Sequence, residues 1–383
     1  MRFAKKQLLD EDKRIGPRPP ARDSPLNMDV RMCNYPLAMA AFTAIFSTLA
    51  CASDPPAIVP WTPPPVDSAA PAGSPVAVHG QLKVVGTQLL DQAGAPVQLK
   101  GVSGTRFDWE SRPFAQSKQG LTFMRDNWNL SVIRAAIPTT NTATIPAQLD
   151  EIVQNAIDLG VYVLVDWHTE DAVDQQDQAV AFFTAMAEKY GAYPNVIWEP
   201  YNEPARQTWA QIKAYHEAVV AAIRAVDPDN LIVLGTPNWS NYVDQAAADP
   251  VLGTNLLYTL HFYSCTHTQW LRDRGNTAIA AGLALFVTEF GATYSDGGLV
   301  SNNHNYVCED EANLWFTWMA QNNISGVAWK LDQCTDSSCI LTSDAPVNGP
   351  WPDNMLSTDV GGAVSGAGIQ GGHGLFVVNW IRE

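Results

Sequence analysis

The sequence predicts an α/β protein, a single (β/α)8 barrel with a short N-terminal β-hairpin capping its floor. Three observations point there. Eight continuous apolar runs recur along the chain, amphipathic helical patterns separate them, and polar and aromatic residues gather where the runs end. Apolar runs without alternation mark parallel strands buried on both faces. Eight of them alternating with helices over about 300 residues fit one barrel, whose usual length is about 250 residues or somewhat more. A doubly wound sheet is the alternative.

In chain order, residues 1–52 read as a leader. Cys33 to Ala52 has no charged residue and holds the apolar run Pro36 to Phe46, followed by small residues Ala50-Cys51-Ala52 that suit cleavage. Met28 or Met32 is a candidate true start. A membrane anchor through this uncharged run is one alternative. A lipidated Cys51 is another, which Thr48 disfavours. Residues 53–78 are rich in Pro and Ala, with Pro63-Pro64-Pro65, and are expected to be an extended spacer. The folded domain is expected over 79–383, opening with a hairpin of Gln81 to Val85 and Thr87 to Leu90 before the turn Asp91 to Gly94.

The strand runs are Val97 to Val102, Ser131 to Ala136, Val161 to Asp166, Val196 to Pro204, Leu231 to Gly235, Leu256 to His261, Leu285 to Gly291 and Gly326 to Leu331. Helical periodicity covers Ile145 to Ile157, with Pro146 in the first turn and Gly160 as the stop. It also covers Ala179 to Tyr190, Trp209 to Val226 and Ala312 to Gln321. The glycine-rich insertion 361–374 is expected to be a surface loop that delays a final helix, Leu375 to Arg382.

Parallel barrel strands deliver their C-terminal ends to one face, so Arg134, Trp167-His168, Asn202-Glu203, Trp239, His261-Phe262-Tyr263, Glu289 and Trp329 are expected to converge. A lone carboxyl in Asn-Glu-Pro is usually a turn acid. Glu203 and Glu289 together change that reading, because two facing carboxyls are what glycosidic cleavage needs. Taken singly, Arg134 reads as a structural ion-pair partner and His261 as a core imidazole. Trp167 and Trp198 read as packing, Glu199 as a structural acid, and Glu170 and Asp171 as solvated loop charges.

With 23 basic and 39 acidic residues the formal net charge is −16, which argues against nucleic-acid or anionic-membrane partners. A neutral polysaccharide is indifferent to that charge. Thirteen tryptophans suit stacking on sugar faces.

From about Val78 to the C-terminus the chain resembles glycoside hydrolase family 5, and within it the bacterial endoglucanases of subfamily 2. The resemblance lies in Asp166-Trp167-His168, Tyr201-Asn202-Glu203-Pro204, Thr236-Pro237-Asn238-Trp239-Ser240, Tyr258 to Tyr263 and Val287-Thr288-Glu289-Phe290-Gly291. It implies a secreted, monomeric retaining endo-β-1,4-glucanase (cellulase) acting on a β-1,4-glucan polysaccharide. No cofactor, metal, nucleic acid or obligate membrane partner is implied. Glu289 would be the nucleophile and Glu203 the acid/base, with Arg134 and Tyr263 supporting Glu289. Asn202 would bind the sugar 2-hydroxyl, and His168 and His261 would hold hydroxyls and orient the acid/base. Trp329 would lie under the sugar being cleaved, Trp109 further along the glycone side, and Trp239 on the leaving-group side.

Retention calls for carboxyls about 5–5.5 Å apart. Glu203 is expected to keep its proton through repulsion from Glu289. A β-mannanase and a catalytically silent glycan-binding barrel are the alternatives. Two departures from the family pattern bear on specificity. Thr105 stands where the family has a histidine, leaving a contact to be lost or remade by Arg106 or Asp108, and Cys334 stands where it tends to place a sugar-binding lysine. Of three possible pairings among the cysteines beyond the leader, Cys265–Cys308 and Cys334–Cys339 is expected. A zinc site of Cys265, His267, His304 and Cys308 is the rival.

Overall fold

The structure, a computed structural model, describes residues 70–139, 145–302, 304–334, 336–358 and 371–383. The leader, the spacer up to residue 69 and residues 361–370 of the insertion lie outside the described residues. The chain opens with a short helix, Pro75–His79, whose N-cap Ser74 accepts from Ala77 and whose Val76 is buried. The expected spacer 53–78 therefore overlaps a helix at its C-terminal end, because Val76 finds a place in the barrel's lower core.

Strands β1 (Lys83–Val85) and β2 (Gln88–Leu90) form the antiparallel hairpin, turning at Gly86 with φ 62°. The barrel follows as β3 (Lys100–Gly104), β4 (Val132–Ile137), β5 (Tyr162–Trp167), β6 (Val196–Glu199), β7 (Leu231–Leu234) and β8 (Leu256–Thr259). A two-residue strand β9 (Phe262–Tyr263) precedes β10 (Leu285–Gly291) and β11 (Gly326–Leu331). All barrel pairings are parallel, and β11 pairs with both β10 and β3, which closes the ring.

Three strands differ from expectation. The first begins at Lys100 rather than Val97, since Val97 and Leu99 are buried in the floor cluster and Leu99 N–H donates to Ser325 Oγ. The run Val196 to Pro204 is strand only as far as Glu199, the end of β6. The run Leu256 to His261 is strand only as far as Thr259, the end of β8, and β9 begins just beyond it at Phe262, with both on β10. Between them the His261 N–H leaves the sheet to donate to the Ser240 carbonyl at 2.9 Å.

Strand side chains alternate, so each strand fills two compartments. On β4, Ile133, Ala135 and Ile137 pack outward among the helices, whereas Val132 lies inside with Tyr162, Leu164, Ile197, Val233, Leu257, Phe286 and Val327. Leu82 and Leu89 of the hairpin join that inner cluster, which seals the floor as expected. Each such buried side chain contributes about 1.5–3 kcal/mol relative to exposure. Continuing the same alternation upward places Arg134, Asp166, Glu199 and Thr288 on the inward face, above the apolar plug.

Helices Ile145–Leu159, Gln176–Tyr190, Trp209–Arg224, Glu309–Gln321 and Gly374–Arg382 occupy the predicted places. Helices Lys118–Trp128 and Gln269–Ala280 were not anticipated. Each buries only four residues, too thin a stripe for a clear period. Disulfides join Cys265 to Cys308 and Cys334 to Cys339, as expected. The zinc alternative is thereby displaced: His267 Nδ1 accepts from the Tyr263 N–H, and His304 pairs with Asp296 at 2.7 Å.

Candidate active site

The upper interior is organised by one cation. Arg134, fully buried on β4, donates through Nε to Glu199 at 2.7 Å and through Nη1 to Glu289 at 3.0 Å. Its Nη2 reaches the Asn202 carbonyl oxygen at 2.6 Å and Asp166 at 2.9 Å. A planar fork with donors at fixed angles is what lets one side chain fix four partners. Three carboxyls share a single guanidinium here. Burial by itself lowers the Arg134 pKa, but Asp166, Glu199 and Glu289 together outweigh it, and the group is held above its ordinary value.

Glu289, near the end of β10, accepts from Arg134 on one oxygen and from the Tyr263 hydroxyl on the other at 2.6 Å. Burial, then the charges of Glu289 and Glu203, push the Tyr263 phenol well above its usual range, so it stays a donor. Glu203 stands in the loop after β6, with Oε1 2.8 Å from His261 Nδ1. An oxygen of Glu203, one of Glu289 and a ring nitrogen of His261 all lie within 4.8 Å of one another. Inverting pairs stand about 6.5–9.5 Å apart to admit a water, and retaining pairs about 5–5.5 Å apart. The separation fits the second geometry.

The two carboxyls differ in environment. Glu203 is pushed up to about 8, chiefly by burial, with Glu170, Asp166 and Glu199 adding to the effect and Arg134 opposing it. The sequence reading credited repulsion from Glu289; desolvation is the larger cause, because the side chain is tucked against His261. Burial likewise raises Asp166 to about 8 and Glu199 to about 7, both against Arg134. It lowers His168 to about 3 and His261 to about 4, so both imidazoles are neutral.

The remaining site residues line a cleft of about 580 Å³ that includes Trp109, His168, Asn202, Tyr263 and Trp329 with both glutamates. His168 Nδ1 is held by Asp166 at 2.7 Å, and its ring stacks on Trp329 at 5.2 Å and 6°. Trp109 stands edge-on to His168 and is 57 % exposed, available as a stacking face. Asn202 has its carbonyl oxygen committed to Arg134, which turns its amide N–H groups into the free polar end.

Trp239 is not among the residues lining this cleft. It is 45 % exposed, with its N–H on the Pro204 carbonyl at 3.0 Å and φ 56°. Trp167 and Trp198 are core, as read from the sequence.

Both departures from the family pattern have structural outcomes. Thr105 is buried with its hydroxyl unpartnered. Arg106 lines the cleft beside it, forked onto Asp108 at 2.6 and 3.0 Å and lying 3.6 Å from the Trp109 ring. Cys334 is in its disulfide, while Lys330 enters the cleft and pairs with Asp336 at 3.0 Å.

The sequence reading missed Asp166 as a site component, together with Ser103, whose Oγ accepts from Arg134 Nη1 at 3.4 Å, and Thr288, whose hydroxyl donates to Glu199. The available signal was alternation: Asp166 follows Tyr162 and Leu164 at two-residue steps, and Thr288 follows Phe286. Glu170 and Asp171, read as solvated charges, line the cleft, where Glu170 is exposed and Asp171 half-buried. Glu199 is the structural acid it was taken for.

Two carboxyls at this spacing at the C-terminal end of a closed parallel barrel, beside an aromatic stack, have the geometry of the double-displacement class of barrel glycosidases. The chain belongs to the cellulase family, glycosyl hydrolase family 5, whose description matches residues 90–335. It is 43 % identical over 290 residues to an endoglucanase of Clostridium saccharobutylicum, covering 73 % of this chain and 63 % of that one. Against endoglucanase Z of Dickeya dadantii it is 37 % identical over 260 residues, 65 % of this chain and 60 % of the relative. The chain thus spans a little under two thirds of the length of these relatives.

Among solved structures, the cellulase Cel5C_n superposes with TM-score 0.72 and 37 % identity, over 82 % of this chain and 95 % of that one. The catalytic domain of Thermobifida fusca endoglucanase Cel5A, in a variant complexed with cellotetraose, superposes with TM-score 0.71 and 28 % identity over 81 % and 100 %.

Proposed function

We propose that this chain is a secreted, monomeric endo-β-1,4-glucanase that hydrolyses internal bonds of soluble or amorphous β-glucans with retention. The observation that carries the reading is the approach of Glu203 and Glu289 oxygens to within 4.8 Å. Glu289 attacks the anomeric carbon while Glu203 gives its proton to the departing glycosidic oxygen. The aglycone leaves and a glycosyl ester remains on Glu289. Glu203, now a carboxylate, takes a proton from water as the hydroxyl adds to the anomeric carbon and frees Glu289.

Asn202 holds the sugar 2-hydroxyl, a contact that strengthens as positive charge develops on the ring. Trp329 underlies the sugar being cleaved, Trp109 extends the glycone side, and Trp239 serves the leaving-group side, which suits its place outside the cleft wall. Disulfide formation supports export. No step calls for a cofactor.

Reducing-end release from carboxymethylcellulose, lichenan, xyloglucan and mannan, run in parallel, tests the substrate class. Proton NMR of the first-formed anomer tests the stereochemistry. Glucan cleavage giving the β-anomer is the expected result. Release from mannan alone, or an initial α-anomer, overturns the reading, and binding without turnover points to a silent glycan-binding barrel.

A further inference from the structure

Two buried groups outside the reaction scheme form a continuous hydrogen-bonded path to the acid/base. Thr288 Oγ1 donates to Glu199 Oε1 at 2.5 Å and lies 2.9 Å from His261 Nε2. On the far side of the ring, His261 Nδ1 lies 2.8 Å from Glu203 Oε1. With Glu199 ionised, its state above about pH 7, counting protons fixes the direction of each bond. The other oxygen of Glu199 takes Arg134 Nε at 2.7 Å, and arginine only donates.

Thr288 has one hydroxyl proton, committed to Glu199, so its oxygen faces His261 as an acceptor. A second neighbour, Thr259 Oγ1 at 2.5 Å, is left to donate to it. His261 is neutral, so a proton on Nε2 leaves Nδ1 as a lone pair. Only a protonated Glu203 then completes the path.

We infer that Glu199 and Thr288 are positioning residues which, acting through His261, fix its Nε2–H tautomer and thereby hold Glu203 in its proton-bearing form. The inference rests on the reading of Glu203 as acid/base. In the resting path no bond breaks, and Glu203 keeps its O–H. Once that proton has gone to the departing oxygen, the Glu203 carboxylate faces a lone pair on Nδ1 and gains no donor from it. That makes it a stronger base toward the water of the second step.

The other charged groups around the path are Arg134 on β4, Asp166 on β5, Glu170 and His168 beyond β5, Tyr263 on β9 and Glu289 on β10. Among the described residues, none of these is hydrogen-bonded to Thr288 or to the His261 ring.

Glu199→Gln reverses the path without changing its shape. The glutamine carbonyl must face Arg134, so its NH2 faces Thr288. Thr288 then donates to Nε2, His261 takes the Nδ1–H tautomer, and that N–H favours the Glu203 carboxylate. Nitrogen-15 spectra of histidine-labelled protein are expected to show the tautomer exchange. The alkaline limb of kcat/KM on carboxymethylcellulose is expected to move to lower pH by about one unit.

Removing the Glu199 charge also moves the limb this way, and Thr288→Val separates the two effects. It breaks the path at constant charge and is expected to mix the tautomers and lower kcat/KM about tenfold or more. Thr288→Ser, which restores the hydroxyl, is expected to stay within about threefold of the parent. An unchanged His261 spectrum in Glu199→Gln, or in Thr288→Val should Glu199→Gln fail to fold, overturns the inference. So does a serine variant that behaves like valine. The spectra need no substrate, so an unmodified chain inactive on glucan would sink the proposed function and leave this test standing.

Discussion

At the scale of single residues, Arg134 carries the largest consequences. Four partners depend on the angles of its fork, and a lysine offers one point charge in their place. Arg134→Lys is expected to lower kcat/KM by about a hundredfold or more, and to cost about 3 kcal/mol as buried acceptors lose the directed donors of the fork. Urea titration beside steady-state kinetics checks both; a lysine variant within threefold of the parent would refute the organising role.

Glu203 sets the alkaline limit, because the acid must carry its proton and its pKa is raised to about 8. Activity is expected to fall as pH rises through that region. Glu170 adds to the elevation through its charge, so Glu170→Gln is expected to move the alkaline limb to lower pH, by under about one unit. A limb that stays in place or moves upward contradicts this cause. The residues that touch substrate stood out in the sequence because each ends an apolar run with a polar or aromatic group. Their supports did not, because Thr288 sits inside a run, Asp166 closes one and Ser103 directly follows one, and all three look like ordinary strand residues until alternation assigns them a side.

At the scale of elements, the barrel strands were legible because both faces are buried and polar residues are excluded along their length. Helices Lys118–Trp128 and Gln269–Ala280 escaped for the opposite reason. Polar residues run through both, each buries four residues, and Arg272 is buried through pairing with Glu311 at 2.6 Å. The hairpin illustrates how function and stability separate in this fold, since the upper face of such a barrel serves chemistry and the lower face serves packing.

Leu89→Ala, in the floor cluster, is expected to cost about 2–5 kcal/mol while kcat near 25 °C stays within about twofold. A large loss of kcat in the folded variant would tie the floor to the site. The Cys265–Cys308 bridge closes 43 residues between the strand that carries Tyr263 and the helix after β10. Replacing both cysteines with serine is expected to cost about 2–4 kcal/mol.

At the scale of the whole molecule, the burial that tunes the site also sets its pH range of stability, and two sets of groups pull in opposite senses. Burial lowers five histidines, His168 to about 3 and His216, His261, His267 and His373 to about 4. A depressed histidine contributes stability fully above its unfolded value near 6.5, and that contribution is lost as pH falls through the folded value. Burial also raises Glu110, Asp166 and Glu203 to about 8 and Glu199 to about 7.

A raised carboxyl acts in reverse: the folded chain holds a proton the unfolded chain has released, so stability is lost as pH rises from about 4 through the folded value. Between about 4.5 and 6.5 the two sets oppose each other, and the more numerous histidines prevail until balance is reached near pH 6. Above 6.5 the histidines are neutral in both states, and only the carboxyls act. The urea midpoint is therefore expected to rise from about pH 4.5 toward 6 and to decline from pH 6.5 to 8. Glu203→Gln removes one proton from the balance and is expected to flatten that decline. A midpoint that climbs between pH 6.5 and 8 would mean that Arg134 keeps the buried carboxyls ionised, and that the proton-bearing form of Glu203 has some origin other than burial.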